Sequence, residues 1–192
     1  MALRPLDARQ TRPQDGGPSF SLRNRVFRAV WGIVWAVFAS WTPPPMRSWR
    51  RFLLKLFGAR MGALTDVRGS ATVWYPPHLH MADRAVLADR VNCYNMAPIS
   101  LGEEALVSQG AHLCAGSHDI STPEFQLFAR PIAIEARAWI AAEAFVGPGV
   151  TVGEGAVLGA RAVTFVSLEP WGVYTGNPAR LLKRRVLKPT IS

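Results

Sequence analysis

The sequence predicts an all-β fold, a parallel β-helix of six-residue repeats preceded by helices. Three observations carry that prediction. Branched aliphatics recur every six residues at Ile134, Ile140, Val146, Val152 and Leu158. A small or slim residue follows each of them by four, at Ala138, Ala144, Val150, Ala156 and Ala162. A period of six matches neither an amphipathic helix nor a plain strand, and a fixed hexapeptide repeat is the sign of a parallel β-helix. Three short strands per coil, each with one aliphatic pointing inward and a small residue where the chain turns, account for it. Gly147, Gly153 and Gly159 follow the aliphatics directly, where a tight corner can use positive φ.

Each segment takes its place in order. Residues 1–22, rich in Pro, Gly, Arg and Gln, read as a disordered basic tail. Residues 23–58 form a helical arm. From Arg23 to Trp41, the residues Phe27, Val30, Trp31, Val34, Trp35, Phe38 and Trp41 share one helical face, and Pro43, Pro44 and Pro45 end the helix. A second helix, Met46 to Phe57, sets Met46, Trp49, Phe52, Leu53 and Leu56 against a polar side of Arg47, Arg50, Arg51 and Lys55, with Gly58 past its end. The repeat domain occupies residues 59–178. Val67 and Val73 open it as a half coil, followed by Met81, Leu87 and Cys93, then Leu101, Val107 and Leu113. The register slips by two between Cys93 and Leu101. Between Leu113 and Ile134 the repeat stops, and the inserted loop, residues 114–133, carries C-A-G-S-H-D. An insertion in a solenoid maps to one face, often the binding face. Residues 179–192 form a basic tail with a short helix, L-L-K-R-R-V-L-K, whose Arg180, Lys183, Arg184 and Arg185 suit a phosphate-bearing ligand.

Charge is unevenly spread along the 192 residues. The net charge is +9. Residues 1–60 hold 11 Lys and Arg against 2 Asp, so the arm carries the whole excess and the repeat domain is neutral. The apolar run Ala29 to Trp41 is too short for a membrane span, which needs about 20 residues. Aromatics flanked by arginines suit a membrane surface, and the same helices can cap the open end of the solenoid. The arm carries no groove-reading motif, which argues against nucleic acid. The two cysteines fit no metal spacing, and Cys93 falls at an inward position.

The hexads, C-A-G-S-H-D, P-I-A-I-E-A-R-A-W-I, V-G-P-G-V-T-V-G-E-G-A-V-L-G-A and G-N-P-A-R together resemble the left-handed β-helix O-acetyltransferases acting on galactosides, maltose and nodulation factors. F-R-A-V-W, W-R-R-F-L-L-K-L-F-G-A and Y-P-P-H-L are similar to the colanic acid biosynthesis branch, and the resemblance spans about residues 23–185. It implies a homotrimer with acetyl-CoA in a cleft between neighbouring subunits, no metal, and a carbohydrate acceptor, free or lipid-linked. A cytoplasmic cosubstrate implies a cytoplasmic enzyme, and the arm's own aromatics and arginines leave peripheral contact with the inner membrane face open beside the capping role. His118 matches the catalytic histidine, and an imidazole titrating near neutrality can take a proton from a sugar hydroxyl. The resemblance places Trp139, Ala142, Ala160, Arg180 and Lys183 at the cofactor. It places Asn92 or Asn95 at the acceptor. Asp119 either orients His118 and meets the acceptor or holds a turn. Ala82, Ala88, Glu135 and Ala141 depart from the family's corner glycines.

Two alternatives share the fold. A γ-type carbonic anhydrase holds zinc through three histidines, and His78, His80, His112 and His118 permit a triad on paper. The basic tail and the loop after His118 have no role in that enzyme. A non-catalytic trimeric scaffold is the other, and the presence of His118 in its motif argues against it.

Overall fold

Six-residue spacing becomes three flat faces. The computed structural model describes residues 5–187, and its core is a left-handed parallel β-helix. Arg60–Met61, Leu79–Met81, Ile99–Leu101, Ile132–Ile134 and Thr151–Val152 stack as the first face. The second holds Asp66–Val67, Val86–Leu87, Leu106–Val107, Trp139–Ile140, Val157–Leu158 and Gly172–Thr175. The third holds Thr72–Val73, Asn92–Tyr94, His112–Cys114, Phe145–Val146 and Val163–Thr164. Register is strict: Met81 lies on Leu101, Leu101 on Ile134 and Ile134 on Val152. The aliphatic at each strand therefore meets its counterpart one coil away, and this inner column is buried along its length. A fully buried side chain of this size contributes roughly 1.5–3 kcal/mol. Cys93 belongs to the column, and burial pushes its thiol pKa up to about 12, so it packs as a small apolar residue. Arg60–Met61 pairs with the next coil, so the opening is a full coil and not the half coil read from Val67 and Val73.

The corners work differently from the expectation. Positive φ falls three residues after the inward aliphatic, at Arg84, Glu104, Arg137, Glu143 and Arg161 as well as at Gly149 and Gly155. Gly147, Gly153 and Gly159 do not adopt it. They are small because the next coil passes close: a Cβ at Gly153 would sit 2.6 Å from the Pro170 nitrogen and 2.9 Å from the Leu168 carbonyl oxygen. The departures at Ala82, Ala88, Glu135 and Ala141 therefore leave the corners intact, since none of these positions needs positive φ. The exposed charges at the true corners pair between coils, Arg84 with Glu104 at 2.9 Å and Arg161 with Glu143 at 2.6 Å.

A stack of parallel strands leaves the carbonyls of its first coil without donors. Helices α1 (Ala8–Thr11), α2 (Leu22–Phe38) and α3 (Arg47–Leu56) precede that coil. Two of them supply the missing donors. On α2, the Trp31 indole donates to the Val73 carbonyl at 2.7 Å, and the Trp35 indole donates to Gly69 and Ala71 at 3.1 Å each. On α3, Arg50 is fully buried. Its guanidinium donates to the Val67 carbonyl at 2.6 Å, to Thr42, Pro43 and Pro44, and to the Asp66 carboxylate at 3.0 Å.

This arrangement corrects the predicted helix faces. Arg50 points in, while Trp49, Phe52 and Leu56 point out. On α2, Trp31 and Trp35 point in, but Val30, Phe38 and Trp41 are exposed. The surface to be capped is polar, so polarity alone misassigned the inner face.

Both tails also differ from expectation. Residues 5–21 are not a disordered tail. α1 is clasped to the inserted loop, the Gln126 side chain accepting from the Ala8 N–H at 2.7 Å and donating to the Leu6 carbonyl at 3.1 Å. The basic tail is not a helix: Arg180–Arg184 is a strand, antiparallel to Gly172–Thr175. Residues 1–4 and 188–192 of the two tails lie outside the described residues.

Arg50→Leu should destabilise the fold by about 3–5 kcal/mol, because it leaves several carbonyls buried without a donor and Asp66 with only the more distant Arg68 at 3.5 Å. Urea titration of the two proteins measures this. A midpoint unchanged from the parent would mean that the cap is closed by packing alone.

Candidate active site

The site forms at the corner between the third and first faces. From Val73 to Met81, and again from Cys93 to Leu101, eight residues separate the aliphatics instead of six. The extra residues stack. The Tyr75 N–H donates to the Asn95 side-chain oxygen at 2.9 Å, and the Asn95 amide donates to the Tyr75 carbonyl at 2.9 Å. One coil further, the same corner opens into the inserted loop. Gly116–His118 and Leu127–Ala129 pair as an antiparallel hairpin that leaves the prism. Gly116 starts it where no Cβ fits, since one would stand 1.6 Å from the Met96 methyl.

His118 ends the outgoing strand, exposed. Its Nδ1 lies 2.7 Å from the Phe125 carbonyl oxygen. A carbonyl only accepts, so Nδ1 carries the proton in the neutral ring and Nε2 is left as a bare acceptor. Phe125 holds that carbonyl in place through a left-handed backbone, φ 47°. Asp119 turns away to the Ser121 hydroxyl at 2.5 Å and the Ser121 N–H at 3.0 Å. Those two bonds hold its carboxyl pKa below the ordinary value. Asp119 is thus a turn residue here, and a backbone carbonyl orients the histidine.

The remaining predicted residues fall in two places. Asn92 is exposed on the third face beside Thr72, whose hydroxyl donates to it at 3.3 Å. Asn95 is fully buried, its amide closed on Tyr75, and offers no surface to a ligand in a single chain. Trp139 stands exposed on the second face, its indole donating to the Ser108 hydroxyl at 2.9 Å. Arg180 and Lys183 lie on the same face, on the terminal strand. Three strand steps separate them from Trp139, or roughly 14 Å. Ala142 and Ala160 occupy the corner between the second and third faces in successive coils, and the Ala142 carbonyl accepts from the Arg161 N–H at 2.9 Å. Their own N–H groups find no acceptor among the described residues. The chain therefore gathers the cofactor candidates along one face and edge and puts His118 on another edge.

The other histidines do not join His118. His78 is buried with Nδ1 against the Asn95 and Met96 carbonyls at 3.3 and 3.0 Å. His112 packs edge-on against Phe145. Burial lowers the pKa of both rings. His112 stays on the third face, whereas His118 has left the prism on the hairpin, so the triad drawn on paper does not form.

Sequence reasoning missed the wall facing His118. An open cavity of about 300 Å3 is lined by Phe20, Arg25, Arg28, Trp74 and Tyr94 together with His118. Trp74 and Tyr94 each follow an inward residue by one, so the repeat itself stacks them, ring centroids 5.5 Å apart. That register was readable. The approach of α2 was not.

No protein-family model matches the chain. Among curated proteins it is 40% identical over 163 residues to WcaF of Escherichia coli (strain K12), described as a colanic acid biosynthesis acetyltransferase, covering 85% of this chain and 90% of WcaF. Among solved structures it resembles a hexapeptide-repeat acetyltransferase from Vibrio cholerae, with TM-score 0.78, 20% identity and coverage of 87% of this chain and 95% of the other. A maltose O-acetyltransferase from Clostridium difficile 630 gives TM-score 0.73 at 18% identity, covering 87% and 90%.

The hydrogen bond to Phe125 makes a spectroscopic prediction. Histidine-selective 15N NMR, at a pH where the ring is neutral, should show the His118 proton on Nδ1 with Nε2 bare. A proton on Nε2 would remove the acceptor from the cavity side.

Proposed function

The chain belongs to the acetyltransferase family of WcaF, and from that premise we propose that it moves an acetyl group from acetyl-CoA to a sugar hydroxyl of a surface-polysaccharide precursor. The observation that carries this reading is the bare Nε2 of His118 at the one place where the prism opens. His118 takes the proton of the acceptor hydroxyl as its oxygen bonds to the acetyl carbon. The carbon–sulfur bond breaks, and His118 returns the proton to the departing thiolate. The free N–H groups of Ala142 and Ala160 suit the thioester oxygen and its neighbours, where an amide matters and a side chain does not. Trp139 flanks that cleft, and Arg180 and Lys183 take the phosphate end of the cosubstrate. Asn92 meets the acceptor from the third face. Asn95 supports the corner beneath it.

A homotrimer completes the site. One chain places His118 and the Ala142–Ala160 edge on different corners of the prism, which supports a neighbour's edge facing each His118.

The enzyme acts on the cytoplasmic side, and the arm holds it at the membrane. Among the described residues no helix is long and apolar enough to cross a membrane. Yet Leu22, Val26, Val30, Ile33 and Val37 run as an exposed stripe along α2, opposite Trp31 and Trp35, and Trp41 continues it. Trp49 joins it by donating to the Phe38 carbonyl at 2.8 Å, and Phe52 stacks on Trp49. Residues 16–65 contain no Asp or Glu. An apolar face rimmed only by cations fits an anionic lipid surface.

Light scattering should report a trimer, and His118→Ala should lower kcat by about 10²–10⁴-fold with little change in acetyl-CoA binding. Arg180→Ala should instead raise the KM for acetyl-CoA. Near-full turnover by His118→Ala on the true acceptor would reject the mechanism. For the arm, deletion is uninformative because Trp31 and Trp35 close the fold. The paired surface change Trp41→Gln and Phe52→Gln should weaken binding to anionic vesicles about tenfold or more. Equal binding would leave the arm a cap alone.

A further inference from the structure

We infer that the acceptor is an anionic sugar, whose phosphoryl or carboxylate group is held by Arg25 and Arg28 while its hydroxyl meets His118; this rests on the acetyltransferase reading. The cavity beside His118 has two walls. Trp74 and Tyr94 supply aromatic rings from successive coils, crossed edge-to-face at 75°. Arg25 and Arg28 supply the other wall from α2, and no carboxylate lines the cavity.

Their placement favours an anion beside them. Arg23, Arg25 and Arg28 crowd the N-terminal turns of α2, which has no acidic residue in its first turn. That end of a helix disfavours cations and favours anions. The Arg28 guanidinium lies 4.2 Å over the Trp74 ring, and its Nε donates to the Asn24 side-chain oxygen at 2.9 Å, so it is held in place. Burial lowers the Arg28 pKa; Tyr94 opposes that and the nearby Arg25 charge adds to it. Neither arginine has an ion-pair partner among the described residues. Three of the four corner arginines, Arg84, Arg137 and Arg161, are paired with glutamates, and Arg90 is not, among the described residues. Two guanidiniums without ion pairs, one of them fixed over Trp74, form a receptor for an oxyanion. The inner aromatic wall and His118 then select which hydroxyl reacts.

The test is a set of matched acceptors with the full-length trimer: glucose, glucuronate and glucose 1-phosphate, read as kcat/KM for acetyl transfer. The parent enzyme should prefer one or both anionic sugars to glucose, and which one wins identifies the group as carboxylate or phosphoryl. Arg25→Ala should lower the anionic-to-neutral ratio by roughly 10–100-fold, the worth of a charge-assisted pair. Arg28→Lys, which keeps charge but loses the fork, should lower it by less. Calorimetry with the same three sugars, parent against Arg25→Ala, covers slow turnover. The parent should bind an anionic sugar more tightly than glucose, and the variant should lose that difference. Equal ratios and equal binding in parent and variant would overturn the anionic acceptor while leaving the acetyltransferase intact. Arg25-dependent binding without transfer to any acceptor would instead count against the acetyltransferase reading and preserve the oxyanion receptor.

Discussion

The structure depends on closing one open end. Every coil after the first receives hydrogen bonds from the coil before it, but the first coil has no predecessor. Its outward carbonyls need donors that carry no competing acceptor, and only a few side chains qualify. Tryptophan donates and never accepts. Arginine donates five times and never accepts. The chain uses Trp31, Trp35 and Arg50 for the task, spread over the second and third faces of the prism and the corner between them. Everything downstream inherits its register from that layer, because strict stacking copies each inward position to the next coil.

The same layer positions the site. Helix α2 bonds to the solenoid through its Trp31 and Trp35 side, and this fixes where its first turns lie. Arg25 and Arg28 thereby reach the cavity beside His118. One helix thus serves both ends: its inner side holds the backbone, and its N-terminal end lines the cavity.

Much of this was legible because period six survives in the side chains. The inward column and the inserted loop follow from counting sixes, and His118 within that loop from the resemblance of its motif. What escaped has physical causes. Arg50 reads as a surface residue because polarity ordinarily marks the outside, yet here the inner surface is a row of carbonyls. Gly147, Gly153 and Gly159 read as positive-φ corners, but the left-handed turns fall elsewhere and accept Arg and Glu. The glycines answer to the approach of the next coil, which no local pattern reveals. Arg180–Arg184 has helix-forming composition, and pairing with Gly172–Thr175 overrides it. Arg25 and Arg28 were invisible as pocket residues because 46 residues separate Arg28 from Trp74 in the chain.

The clasp between α1 and the hairpin makes the solenoid a ruler. Ala8 bonds to Gln126, and Arg28 lies over Trp74 in the first coil while His118 leaves from the third. Two coil steps therefore set the height of the cavity wall. Lineages of solenoid proteins can lengthen by duplicating a coil, since one more layer satisfies the same stacking rule. A layer added between the cap and the hairpin would carry α2 about 4.8 Å further from His118 and part the clasp. Coils added beyond the hairpin would disturb neither. Growth in this architecture is thus barred between the cap and the hairpin, and a coil inserted between Trp139 and Arg180 would stretch the roughly 14 Å between those cofactor candidates.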